Sequence, residues 1–161
     1  MNAEVDNKYS RFLMVTLGER HFGLALDSIR EAIALPEITP LPSSPRFFLG
    51  VIFLRGSVIP IIDMAAKMGI KELYQGDSFD KGIVICQVNS QYYGILVHAI
   101  DSVTSILLKD ISEVSNLTNE NTSYISGIYK SEQGLTLLIE PLLVVEKSDL
   151  SALAEKAKLS A

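Results

Sequence analysis

Two small β-barrels lying side by side, with a few short helices including one at the C-terminus, form the all-β fold class that this sequence predicts. Three observations carry that expectation. From Arg11 onward the chain is a series of short apolar runs, rich in strand formers and separated by turn residues. The first part of the chain repeats in the second. Finally, 161 residues, 48% apolar and 20% charged, are enough for one ordinary domain or two very small lobes.

The repeat is read in two gapless blocks. Phe12-Leu13-Met14-Val15, Phe22-Gly23-Leu24-Ala25-Leu26 and Ile29 overlay Ile83-Val84-Ile85-Cys86, Tyr93-Gly94-Ile95-Leu96-Val97 and Ile100 at a constant offset of 71 residues. Gly50-Val51-Ile52, Val58 and Ile61-Ile62-Asp63 overlay Gly127-Ile128-Tyr129, Leu135 and Leu138-Ile139-Glu140 at an offset of 77 residues. The halves span approximately 11–70 and 81–146. Each is marginal as an independent domain, so an apolar seam shared between them is expected. The repeat leaves open whether strands or the C-terminal helix cross from one lobe to the other.

Taken in order, residues 1–8 are polar and patternless and read as a flexible N-terminus. Phe12–Leu17 and His21–Leu26 make a hairpin about the turn Gly18-Glu19-Arg20. Asp27–Ile33 mixes apolar and charged positions in a helix-like way. Four of the six prolines lie in 35–45, which is therefore extended. Gly50–Asp63 forms two strands around the tight turn Arg55-Gly56-Ser57. Pro60 has no N–H to give a ladder, which predicts an edge strand or a bulge there. Asp63 can cap a short helix, Met64–Met68, that Gly69 ends. Residues 71–81 connect the halves. Ser148 can cap an amphipathic C-terminal helix. The organisation expected is thus a single domain over 9–147 followed by a helical tail over 148–161.

Composition narrows the function. Fourteen Lys and Arg against 19 Asp and Glu give a net charge of -5, without the basic field that nucleic-acid binding needs. A single cysteine, Cys86, cannot form an internal disulfide and, alternating with Val84 and Val88, reads as a buried small apolar residue. The uncharged run 83–100 is interrupted by Gln87, Asn89, Ser90 and Gln91, a hairpin rather than a membrane span. With no secretion signal, the expected location is the cytoplasm. No Cys or His pair has metal-ligand spacing, and no phosphate-binding glycine loop or Gly-x-Ser-x-Gly motif occurs. No catalytic residue, metal or cofactor is expected. A duplicated β architecture is shared with aspartic proteases, but the matching acids here, Asp63 and Glu140, stand outside any Asp-Thr/Ser-Gly turn.

The copies differ at their tight turn, Arg55-Gly56 in the first and Glu132-Gln133 in the second. An arginine inside a run of Val, Ile, Leu and Phe is either an exposed turn residue or is held by an acid, and Glu31 and Asp27 are the nearest acids in the same copy. Ile29, Ala32 and Ile33 could serve the core alone, whereas Ile29 and Ala32 beside Glu31 and Arg55 would offer a groove to an amphipathic partner helix. The competing reading is a groove between the lobes that holds a small molecule.

Phe12-Leu13-Met14-Val15-Thr16-Leu17-Gly18, Phe22-Gly23, Ile29-Arg30-Glu31, Pro45 and Phe48–Asp63 resemble the CheW family of chemotaxis coupling proteins, most specifically in Leu54-Arg55-Gly56 with Ile59-Pro60-Ile61-Ile62-Asp63. The resemblance runs over most of 10–146. It implies two SH3-like five-stranded β-barrels and a non-enzymatic adaptor or scaffold. Its implied partners are the cytoplasmic tip of chemoreceptors and the CheW-like regulatory domain of the histidine kinase CheA, in membrane-associated signalling arrays. It implies a receptor-binding groove at Ile29, Glu31 and Arg55, with Leu26 and Ala32 beside them. It also implies a kinase contact through exposed apolar residues of the second lobe's long loop, where Leu117, Tyr124 and Ile125 stand. Two departures from the family pattern are Phe53 in place of the usual Asn and a 109–126 loop without its usual proline. A length of 161 leaves no room for the receiver domain of a CheV-type protein or the catalytic domains of the kinase.

Overall fold

The computed structural model describes residues 8–42, 46–70, 81–114, 116, 122–132 and 134–160. Alternating apolar runs become eleven strands among those residues, in two sheets. One sheet has the order β8 (Ala99–Leu107), β1 (Tyr9–Leu17), β2 (Arg20–Ala25), β11 (Gly134–Ile139), β10 (Ile125–Ser131) and β9 (Ile111–Ser112). The other has the order β3 (Ile29–Ala34), β6 (Gly82–Val88), β7 (Gln91–Val97), β5 (Ser57–Asp63) and β4 (Phe48–Leu54). The second sheet thus has five strands, and the first adds the two-residue β9 as a sixth.

The two halves of the sequence do not build one lobe each. The β1–β2 hairpin of the first half joins β8–β11 of the second, and the β6–β7 hairpin of the second joins β3–β5 of the first. Each exchanged hairpin docks through a short parallel ladder. In one, Leu138 stands opposite Gly23 and Ile139 opposite Leu24; in the other, Ile61 stands opposite Gly94 and Ile62 opposite Ile95. Both ladders obey the two sequence offsets residue for residue. So do the irregularities, since the bulge between Ile29 and Glu31 on β3 has its counterpart between Ile100 and Ser102 on β8, opposite Met14 and Val15 of β1. The shift between Phe48 and Gly50 recurs between Ile125 and Gly127. Even β9, which pairs Ser112 with Ile128, has a first-half equivalent in the isolated bridge between Thr39 and Val51.

Three local expectations are corrected. Asp27–Ile33 is not helical: a 3-10 turn over Leu26–Ser28 runs straight into β3, whose residues alternate half-buried and exposed as a strand requires. Pro60 is neither on an edge strand nor at a bulge, because β5 lies between β7 and β4. Its partner Val51 uses its own N–H and C=O on Thr39, both at 2.8 Å, so Pro60 sits opposite a residue that asks nothing of β5. Its nitrogen faces the β7 side one residue before that ladder starts at Ile61. The C-terminal helix α2 (Lys147–Ser160) begins one residue before the expected Ser148 cap. The carbonyl of Glu146 accepts from Asp149 and Leu150, which places Ser148 within the first turn. Helix α1 (Met64–Lys67) forms as its sequence predicts, with Asp63 Oδ1 accepting from the Ala66 N–H at 3.1 Å and Gly69 at φ +76° ending it.

One principal core unites the sheets. Leu13, Val15 and Leu17 of β1 and their equivalents Val84, Cys86 and Val88 of β6 all belong to it, as the shared seam requires. Leu150 and Leu153 of α2 complete it against β5 and β7. The opposite face of β1 packs Phe12 with Ile106 and Leu138 inside the first sheet's own barrel.

Candidate docking site

Strands β3 and β4 are the two edges of the five-stranded sheet, and between them its barrel is open. The β4–β5 turn stands at that opening. Arg55 at φ +49° and Gly56 at φ +81° are both left-handed, the geometry of a two-residue type I′ hairpin that a right-twisted strand pair favours. This turn projects Arg55 back across the gap. On the other rim Glu31 shares the inward-facing, half-buried positions of β3 with Ile29 and Ile33.

The two side chains meet in a bidentate pair. Arg55 Nη1 donates to Glu31 Oε1, and Nη2 donates to Oε2 at 2.9 Å. The hydrogen bonds from Arg55 hold the Glu31 carboxyl below its ordinary range, and the same bonds raise the guanidinium. The pair ties the edges of the open barrel together. The Arg55 side chain is 72% exposed and that of Glu31 27%, so the guanidinium keeps a face for a partner. Below it lies a concavity of 190 Å³ lined by Arg30, Leu54, Ser57, Ile59, Ile85 and Tyr92 with the pair itself. An apolar floor under a charged, polar rim suits the binding of an amphipathic surface.

The second lobe has no such pair. By the repeat, Ser102 stands for Glu31 and Glu132 for Arg55, a hydroxyl and a carboxylate that cannot form an ion pair. The repeat's matching acids, Asp63 and Glu140, are both helix caps: Glu140 Oε1 accepts from the Leu142 N–H at 3.2 Å and from Ser28 Oγ at 2.9 Å. Among the described residues no three His, Cys, Asp or Glu side chains cluster as metal ligands would.

The other residues singled out by sequence fall in several places. Ile29 is half-buried against the core on the same face as Glu31, while Ala32 is exposed on the opposite face of β3. Leu26, in the 3-10 turn, lines a different concavity of 680 Å³ with Phe12, Leu138 and Glu140. Leu117 lies outside the described residues. Tyr124 does not have the exposure expected of it: only 4% is accessible and it belongs to the core. Ile125, at the start of β10, is half-buried. Phe53, on the outer face of β4, is 74% exposed. Sequence reasoning missed Ile85 and Tyr92, which come from the exchanged hairpin; nothing local places that hairpin under Arg55.

A duplicated, strand-exchanged double barrel with an ion-paired groove defines a protein-docking scaffold. The CheW-like domain model matches residues 11–148. The chain is 30% identical over 125 residues to a chemotaxis protein CheW of Rhizobium meliloti, covering 77% of this chain and 79% of that one. It is 30% identical over 134 residues to the chemotaxis protein CheW of Treponema pallidum, covering 80% and 78%. The crystal structure of scaffolding protein TtCheW from Thermoanaerobacter tengcongensis superposes with a TM-score of 0.77 at 28% identity, covering 88% of this chain and 96% of that one. The chain belongs to the CheW-like family and, matching CheW proteins along most of their length, is a chemotaxis coupling adaptor and not an enzyme. The comparisons give no support to the small-molecule groove.

Proposed function

We propose that this adaptor couples the cytoplasmic tip of chemoreceptors to the histidine kinase CheA through that kinase's CheW-like regulatory domain, and that it is thereby recruited to membrane-associated receptor arrays. The observation that carries the reading is the Glu31–Arg55 pair spanning the open side of one barrel over an apolar floor. A receptor helix would lay its apolar face on that floor and a polar residue against the guanidinium. Ile29 extends the apolar surface along β3, with Leu26 and Ala32 at its margins. The kinase contact is assigned to Leu117, Tyr124 and Ile125, with half-buried Ile125 offered to the partner and buried Tyr124 supporting it. No helix among the described residues is long and apolar enough to cross a membrane, so attachment to arrays would come through partners.

The test is a pull-down from native cell extract with the wild-type protein and Arg55→Ala as baits, read by mass spectrometry. The wild type should recover methyl-accepting receptors together with a CheW-like-domain kinase. Arg55→Ala should lose receptors selectively, by about 2 kcal/mol or roughly thirtyfold in Kd, and remain folded, since exposed ion pairs add little stability. Recovery of neither partner from cells that express both would refute the coupling role. Equal receptor recovery by the variant would remove Arg55 from the contact.

A further inference from the structure

The groove beside Arg55 holds a second guanidinium. Arg30 lines it together with Glu31 and Arg55, although Arg30 and Glu31 are neighbours on β3 and a regular strand would send them to opposite faces. The bulge accounts for this. Ile29 stands opposite Cys86 and Glu31 opposite Ile85, so Arg30 is the extra residue, and a bulge re-aims the side chain it carries. Glu31 is already committed to Arg55, whereas exposed Arg30 has no acid within ion-pair distance among the described residues. After the hydrogen bonds and charge of Arg55, the charge of Arg30 also lowers the Glu31 carboxyl, so the second guanidinium lies within electrostatic reach of the pair. One positive charge is thus left uncompensated at this mouth, in a chain of net charge -5.

The second barrel supplies an internal control. By the two sequence offsets Asp101 stands for Arg30, again as the extra residue of a bulge, and Glu132 stands for Arg55. The same two places in the same architecture therefore carry acids, so the fold itself asks for neither arginine. Asp101 is moreover held within its own barrel, accepting from Thr16 Oγ1 at 3.0 Å, while Arg30 points into an unfilled groove.

Resting on the receptor-docking reading above, we infer that Arg30 and Arg55 together receive a Glu or Asp side chain of the docked receptor helix, and that Arg30 is the residue by which the groove selects an acidic helix. Glu31 holds the Arg55 fork in place, and its outer N–H groups have no partner among the described residues, so an incoming carboxylate meets fixed donors on one side. Arg30 supplies the second charge from the other rim. The concavity, at 190 Å³, is smaller than the roughly 300–1,000 Å³ that encloses a small ligand, so the acid arrives on a protein surface. Leu54, Ile59 and Ile85 on the floor call for apolar side chains a turn to either side of that acid, the spacing an amphipathic helix provides.

Co-sedimentation of the full chain with native membranes that contain methyl-accepting receptors tests this. Arg30→Gln should weaken binding about fivefold with an unchanged circular dichroism spectrum, because Arg30 is exposed and supports nothing else. Arg30→Lys, which keeps the charge, should bind more tightly than Arg30→Gln. A carbodiimide joins an amine to a carboxylate in direct contact with it. It should therefore couple the amine introduced by Arg30→Lys to a Glu or Asp of the receptor, located by mass spectrometry, while native Lys109, in the turn after β8, couples to none. Wild-type protein that fails to sediment with these membranes would refute the docking reading and this inference with it. Wild-type binding that Arg30→Gln leaves unchanged, or an Arg30→Lys protein that couples to no receptor carboxylate, would overturn the inference alone and leave the groove as the docking site.

Discussion

Cys86 and Tyr93 stand opposite each other on β6 and β7, both inaccessible in the core. Burial pushes the Cys86 thiol up to about 12 and the Tyr93 phenol well above its usual value, and the phenol donates to the Pro141 carbonyl at 2.6 Å. The cysteine is therefore a packing residue, inert to thiol reagents until the protein unfolds. The sign of the linkage follows from the raised values. Above about pH 9 the unfolded chain releases the thiol proton that the folded chain retains, so stability is full below that pH and falls as pH rises toward 12. Urea titrations from pH 8 to 10.5 should show unfolding free energy declining above pH 9, by at most about 1.4 kcal/mol per pH unit for each group. Cys86→Val should flatten part of that decline, whereas stability constant over the whole range would contradict burial of both groups.

At the scale of elements, two glycines make the hairpin exchange possible. A Cβ on Gly94 would stand 2.5 Å from Ile61 Cδ1 and 2.6 Å from Ile83 Cγ2, and one on Gly23 would stand 2.7 Å from Leu138 Cδ2. These are the two parallel joints where the exchanged hairpins dock, and the sequence carries the matching pair at its offset of 71. Gly94→Ala should cost about 1–3 kcal/mol in urea-measured stability through overpacking, with Gly23→Ala doing similar damage at the other joint. A neutral effect at either would show that the joint has slack. The glycines were legible as a repeat, but not as joints, because an apolar alternation says which face a residue takes and never which strand lies beside it. The misreading of Asp27–Ile33 has a different cause. Glu31 occupies an inward position of β3 where the alternation expects an apolar residue, and that substitution broke the strand pattern. The residue that hid the strand is the one that pairs with Arg55, a local inconsistency located at the site.

For the whole molecule, the exchange makes each barrel depend on both halves. Residues 11–70 supply β3–β5 but lack the β6–β7 hairpin that fills the middle of their sheet, while residues 81–146 lack β1 and β2, which link β8 to β11. The repeat made the pseudo-symmetry and the turns readable. It could not reveal the exchange, because a hairpin satisfies its own alternation equally well in either sheet and only the chain's path between lobes decides. With Leu13, Val15 and Leu17 in the same core as Val84, Cys86 and Val88, neither half can bury its own seam residues alone. Full-length protein should therefore unfold in one cooperative transition, with far-UV and near-UV circular dichroism coinciding. Polypeptides 1–75 and 76–161 should each be unfolded in isolation, and mixing them should restore β-structure together with the buried Tyr93 environment. A stable fold in 1–75 alone would mean that its strands close a barrel without the second half, and that the exchange is a preference of the intact chain rather than a condition of folding.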